Sequence, residues 1–298
     1  MERIKRLIAQ AQLVLERARA RYGVVDIVVR TFKRFSEDEG GPRSAALTYY
    51  IFFSIFPLLL FAVSGLGYVA FLSEPVKKDL IDAGVEAFPM LRDVLSPNGL
   101  DQIVQNRGTL AGLGFVLALY AGTGVVLAME HALNRIHHVE DEGNFFQKRL
   151  WSLKWLGMLG LAAAATVVAG TLANVVVDVM DGGAAAAIVA VLLLGVGFLL
   201  NLLVFMSAFR FLTRKEQSWR DVFPGALVGA IAFEILKYFG AAYIERGSQA
   251  REATFGAFAT TAAFLVASYL LSQIILLSAE LNAVLGERRT TRQSAKAS

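Results

Sequence analysis

Hydrophobic positions in this chain gather into six long stretches, at residues 45–71, 110–130, 153–177, 185–209, 222–244 and 255–281. In each, apolar residues run all round the helix rather than along one stripe, as expected of a helix bathed in lipid or buried on every side. A span needs roughly 20 residues to cross a hydrocarbon core of about 30 Å, so all six are long enough. The pattern predicts an all-α, polytopic integral membrane protein with six transmembrane helices. Residues 1–35 are charged but periodic. Ile4, Leu7, Ile8, Leu15 and Tyr22 recur at helical spacing, and Arg3, Lys5, Arg6, Arg17 and Arg19 occupy other faces. That predicts a basic amphipathic helix lying on the cytoplasmic leaflet, broken by Gly40-Gly41-Pro42. The expected organisation is a cytoplasmic N-terminal segment (1–44), a membrane domain (45–287) and a basic cytoplasmic tail (288–298). One long outer loop, 72–109, has Leu80, Ile81, Val85 and Phe88 spaced for short surface helices.

Charge sets the orientation. Lys and Arg total 22 in the N-terminal segment, the connections after spans 2 and 4, and the C-terminus, against 6 in the other three connections. Under the positive-inside rule both termini are cytoplasmic. Composition narrows the class further. Of 298 residues only 18% are charged, where a soluble domain carries about a quarter, and six spans leave no room for a second, soluble domain. The chain has no cysteine, which excludes disulfides, thiolate zinc sites and cysteine nucleophiles. The net charge of +4 sits at membrane flanks and does not point to nucleic acid. The first 44 residues hold no short apolar run with a cleavage site, so targeting is expected to rest on the first span.

Polar residues at membrane depth are the candidate site. Glu234 lies 12 residues into span 5, about 18 Å at 1.5 Å per residue, and Lys237 is one turn further. At i,i+3 the two can pair, and intramembrane charges of this kind are costly and commonly functional. On the same helix Leu227, Val228, Ile231, Ile235 and Tyr238 form a lipid-facing arc. Gly225, Gly229 and Gly240 form a small-residue face for close packing, with Lys237 turned inward and Glu234 at the border. Asn201 interrupts span 4. Glu130 with Asn134, and Glu280 with Asn282, fall at the inner ends of spans 2 and 6. These seven polar residues are the substrate-path candidates, although a structural ion pair and interhelical hydrogen bonds would use the same groups. Pro57 predicts a kink in span 1. Enzyme signatures are missing: the sequence has no phosphate loop, no His-Glu-x-x-His and no Gly-x-Ser-x-Gly elbow. Glu130, His131, His137, His138, Glu140, Asp141 and Glu142 make the one metal- or nuclease-like patch, and its expected form is a solvated loop. No catalytic residue, metal or cofactor is expected.

Four stretches resemble the YihY/BrkB membrane proteins, once described as ribonuclease BN. They are Ala45–Tyr50 running on to Ser54–Leu59, Ala132–Ile136 followed by Phe145-Phe146 and Arg149-Leu150, Trp219–Leu227 with Glu234 and Lys237, and Ser278–Ala283. The resemblance covers residues 30–287. Departures stand at Thr213, at Thr254-Phe255-Gly256 and at Ser278. The resemblance implies a multi-pass protein of the bacterial inner membrane with a role in the envelope. The function expected from it is binding or translocation of a lipid or lipid-linked amphiphile, with membrane lipids as partners. A non-transporting envelope assembly factor is the alternative, and a ribonuclease the reading least favoured.

Overall fold

The computed structural model describes residues 16, 19, 21–69, 107–139, 144–179, 183–255 and 257–297. These residues form helices and no strand: α1 (Gly23–Glu37), α2 (Gly40–Val69), α3 (Arg107–Ile136), α4 (Phe145–Val179), α5 (Ala184–Phe211), α6 (Trp219–Phe255) and α7 (Ala257–Ala297). The chain is all-α, as its hydrophobic pattern predicts. Among the described residues four helices are long and apolar enough to cross a membrane, over Gly112–Ile136, Ala187–Phe211, Trp219–Gly240 and Thr261–Thr291. The first and third predicted spans fall on α2 and α4, which are 30 and 35 residues long. The predicted N-terminal periodicity up to residue 15 and the surface helices of loop 72–109 lie outside the described residues, apart from residues 107–109.

Helices α2 to α7 pack in a closed ring, each on the next and α7 back on α2, while α1 lies against α7. The buried core gathers at one end of this ring. It comprises Leu47 of α2, Val126 to Ile136 of α3, Trp155 of α4, Leu202 to Leu212 at the end of α5, Val222 to Ala230 of α6 and Leu276 to Ala283 of α7. Arg34, Arg214 and Arg288 lie at this end, against Glu280, Asn134 and Asp26. Polar stitches run through it: Thr48 Oγ1 donates to Ser272 Oγ at 3.2 Å, and Ser272 Oγ in turn donates to the Ser268 carbonyl at 2.8 Å. Such bonds hold helices together where lipid supplies no hydrophobic drive.

Several boundaries differ from those read in the sequence. The break before span 1 falls at Asp38 and Glu39, and Gly40-Gly41-Pro42 form the first turn of α2. Proline is tolerated there because a first-turn N–H has no partner within the helix. Glu39 adopts φ 57°, as does His138 after α3 at 52°. Both close a helix in the left-handed conformation that glycine usually supplies, and after α3 the Val139 and His138 amides bond back to Asn134 and Arg135. Helix α6 runs on through the expected outer connection 245–254, since that stretch is rich in helix formers and its one glycine is tolerated. The expected tail is likewise the end of α7. Its Arg288 is paired with Asp26 of α1, and Arg289 with Asp221 of α6. Helix α2 continues through Pro57 without interruption.

Candidate functional site

The polar candidates occupy two levels of the ring. At the basic end, Asn134 is 1% exposed, and its side-chain oxygen accepts the Arg214 amide at 2.8 Å. Arg214 Nε also lies 3.7 Å from Glu130. Asn134 thereby fixes the α5–α6 connection to the last turn of α3. Asn282 clamps the other side. Its oxygen accepts the Gly225 amide at 2.7 Å and its nitrogen donates to the Val222 carbonyl at 3.0 Å. The clamp sits beside Pro224, which lacks an N–H and leaves an early carbonyl of α6 without its helical donor. That carbonyl belongs to Arg220 and accepts from Arg289. Gly225 permits the approach, since a Cβ there would come within 2.1 Å of the Ser278 carbonyl. Gly229 is similarly tight against Phe205 and Ser278, whereas Gly240 meets nothing within 4 Å. The glycine face is therefore close-packed at Gly225 and Gly229, and open at Gly240.

Glu280 is fully enclosed and lies 3.4 Å from Arg34 Nε. Arg34 also pairs with Glu287 and donates to the Ile136 carbonyl. One guanidinium thus ties α1, α3 and α7 together, with buried Asp38 as a further charged neighbour. Sequence reasoning missed Arg34, Asp38 and Arg214, each of which looks like an ordinary flanking charge. The acid beside the Glu39-Gly40-Gly41 break was the one usable signal. Glu130, Asn134, Glu280 and Asn282 share one end of the ring: Glu130 and Asn134 both engage Arg214, Glu280 engages Arg34, and Asn282 engages the first turns of α6. Of the proposed metal-like patch, Glu130 and His131 belong to α3 and residues 140–142 lie outside the described residues. Among the described residues no group of three His, Cys, Asp or Glu could hold a metal. His137 is mostly enclosed, and its Nε2 is 3.3 Å from Gln217. Burial, helped by the nearby Lys215 and Arg34 cations, pushes its imidazole down to about 4, so it is neutral at pH 7.

The other level is the middle of α5 and α6. Asn201 Nδ2 donates to Glu234 Oε1 at 2.6 Å, and Lys237 Nζ lies 2.8 Å from Glu234 Oε2. Three of the candidates thus form one chain of contacts across two helices. At 100° per residue Lys237 falls about 20° from Ala226. It continues the stripe of Val222, Ala226 and Ala230, each with no exposed surface. Yet the Lys237 side chain is 41% exposed and that of Glu234 35%. Of the predicted lipid-facing arc, Val228, Ile231, Ile235 and Tyr238 on the opposite face are also exposed, whereas Leu227 packs partly buried against the core. The same inward stripe is therefore sealed at the basic end and open one to two turns further along.

A ring of long apolar helices with a sealed basic end and charged groups at mid-depth defines a polytopic helical membrane protein. Residues 31–298 match the family described as Virulence factor BrkB, and the chain belongs to that family. It is similar to the ribonuclease-like protein YfkH of Bacillus subtilis, 27% identical over 271 residues, covering 87% of this chain and 94% of that one. A UPF0761 membrane protein of Vibrio cholerae is 28% identical over 193 residues, 63% of each chain. A UPF0761 membrane protein of Albidiferax ferrireducens is 27% identical over 267 residues, 85% of this chain and 60% of its own. No solved structure matches.

Proposed function

We propose that the six ring helices each cross the inner membrane of a bacterial cell once, with both termini inside, and that the protein binds and passes an amphiphile. A lipid or a lipid-linked envelope precursor fits best. The observation that carries this is the exposure of Lys237 on a stripe that is otherwise shut. A cation on the lipid-facing arc at that depth would be costly, whereas one lining a wetted opening in the bundle is not. Asn201, Glu234 and Lys237 then offer a polar lining to a headgroup, above a plug formed by the core at the basic end. No covalent step enters, and the ribonuclease-like name of the Bacillus relative is not carried over: purified protein should cleave no tRNA precursor above a mock preparation. The direct test is lipid identification by mass spectrometry on protein extracted in native nanodiscs. One lipid class should be enriched over the surrounding membrane, and a composition equal to bulk would contradict the proposal.

A further inference from the structure

Helix α1 has three faces, and only one of them is spent on the ring. At 100° per residue, Val24, Val28 and Phe32 fall in one row, with Val25 and Val29 beside it. The row is exposed along its length, at 71, 47 and 58%. Arg30, Lys33 and Glu37 lie on the opposite side. Their charges pair within the helix, Arg30 with Asp26 and Lys33 with Glu37, as on a water-facing edge. Between the two runs the edge that grips the ring. Thr31 is buried there, and Arg34 reaches both α7 and α3.

Depth and direction together decide what covers the row. Arg34 Nη2 donates at 3.2 Å to the carbonyl of Ile136, where the Gly112–Ile136 span ends. Arg34 also pairs with Glu287, one turn from the end of the Thr261–Thr291 span. Helix α1 therefore lies level with the ends of two apolar spans, where headgroups give way to acyl chains. Phe35 gives the direction. It falls between Val24 and Val28 on the helical wheel and packs against the core. A Cβ on Gly40, the first residue of α2, would collide with its ring. The apolar arc thus faces the side on which α2 enters the ring, away from the charged edge. Amphipathic helices in this setting bury their apolar face roughly 5–10 Å into the boundary of headgroups and chains. Val284 marks what α1 covers in turn. Glu280, Glu287 and Arg288 of α7 all pair with α1. Val284 lies one turn from each on the same face and is buried. We propose that α1 is a clasp seated in the cytoplasmic leaflet: acyl chains cover Val24, Val28 and Phe32, and this seating keeps Arg34 on α3 and α7, over Val284. Beyond the leaflet helix expected from the N-terminal periodicity, this names the face that meets lipid and the contact that depends on it. It rests on the topology proposed above and not on the passage of an amphiphile, and a reporter fused at the C-terminus reads that topology by itself.

The test uses the full chain, which has no cysteine of its own, in nanodiscs of phosphatidylcholine and phosphatidylglycerol. Val28→Cys, Phe32→Cys, Lys33→Cys and Glu37→Cys are labelled singly with bimane, and a lipid bearing a nitroxide high on its acyl chain is added. Strong quenching is expected at 28 and 32, and little at 33 and 37. Unquenched labels at 28 and 32, or equal quenching at all four positions, would overturn the proposal. So would cross-linking of Val28→Cys between two copies, which would put a second chain on the row in place of lipid. Val284→Cys reads the clasp with a membrane-impermeant maleimide. Its labelling should be slow in nanodiscs and at least tenfold faster once Val28→Asp and Phe32→Asp are added, or once Arg34→Gln is. Lys33→Gln with Glu37→Gln, on the water-facing edge, should leave it slow. Transfer from nanodiscs to amphipol removes the leaflet without a substitution on α1 and should speed labelling likewise, which serves where the double aspartate variant fails to fold. Labelling of Val284→Cys that stays slow when α1 loses its lipid seat would overturn the link between seat and clasp.

Discussion

At the scale of single residues, the basic end of the ring is held by side chains that each do one structural task. His137 illustrates how this can be read out. Its imidazole, held at about 4 by burial and by the Lys215 and Arg34 cations, has an ordinary value near 6.5 once unfolded. Between those values the unfolded chain binds the extra proton and the folded one does not. Stability from this group is therefore complete above about pH 6.5 and is lost as pH falls towards 4. Thermal unfolding in detergent should show a drop in Tm between pH 7.5 and pH 5 that is smaller in His137→Gln. An identical drop in both proteins would show that His137 does not titrate in this window. Individual site residues were partly legible in the sequence. Glu234 and Lys237 stand out because charge is rare in an apolar run, and their spacing alone predicts contact. The bond from Asn201 to Glu234 joins residues 33 apart on different helices, which no local pattern encodes. Arg34 and Asp38 were hidden for the opposite reason, being charged residues in a charged segment.

At the scale of elements, the α6–α7 crossing separates packing from mere composition. The apolar part of helix α6, up to residue 244, has glycines at 225, 229 and 240, which look alike in sequence. Only the first two are pressed against α7 and α5. Gly225→Ala forces a methyl group into the Ser278 carbonyl and should cost about 1–3 kcal/mol, in the range of overpacked cores. Gly240→Ala should be neutral or stabilising by up to about 1 kcal/mol, because alanine is the better helix former. Tm measured on the two single variants decides the matter, and equal effects would mean that the crossing is not where it is described. Helix ends were the least legible feature of these elements. Hydropathy marks where apolar sequence stops, but a helix continues for as long as its backbone bonds do. That is why α6 extends to Phe255 and α7 to Ala297, past the apolar limits at 244 and 281. The closing of α1 at Asp38 depends on a non-glycine residue accepting positive φ, which sequence does not announce.

For the whole molecule, the ring is sealed at its basic end, and the proposed path opens to water around Glu234 and Lys237. If the pair serves only to fix packing, Glu234→Ala and Lys237→Ala should each destabilise the protein. The double apolar variant should then recover most of the loss with activity intact, since removing a whole charge pair is often near neutral. If the pair lines a path, the double variant should fold and insert normally yet fail to complement a deletion strain. Tm beside complementation separates these outcomes, and the second is expected. The most direct measurement uses the absence of cysteine from the native chain, which removes background labelling. Single variants Lys237→Cys, Ala230→Cys and Ile235→Cys would be exposed in intact spheroplasts to a membrane-impermeant thiol reagent. Rapid modification is expected at 237, and none at 230, which is sealed in the core, or at 235, on the face proposed to meet lipid. An unreactive cysteine at 237, or equal reactivity at 237 and 235, would contradict an aqueous opening at this level of the ring.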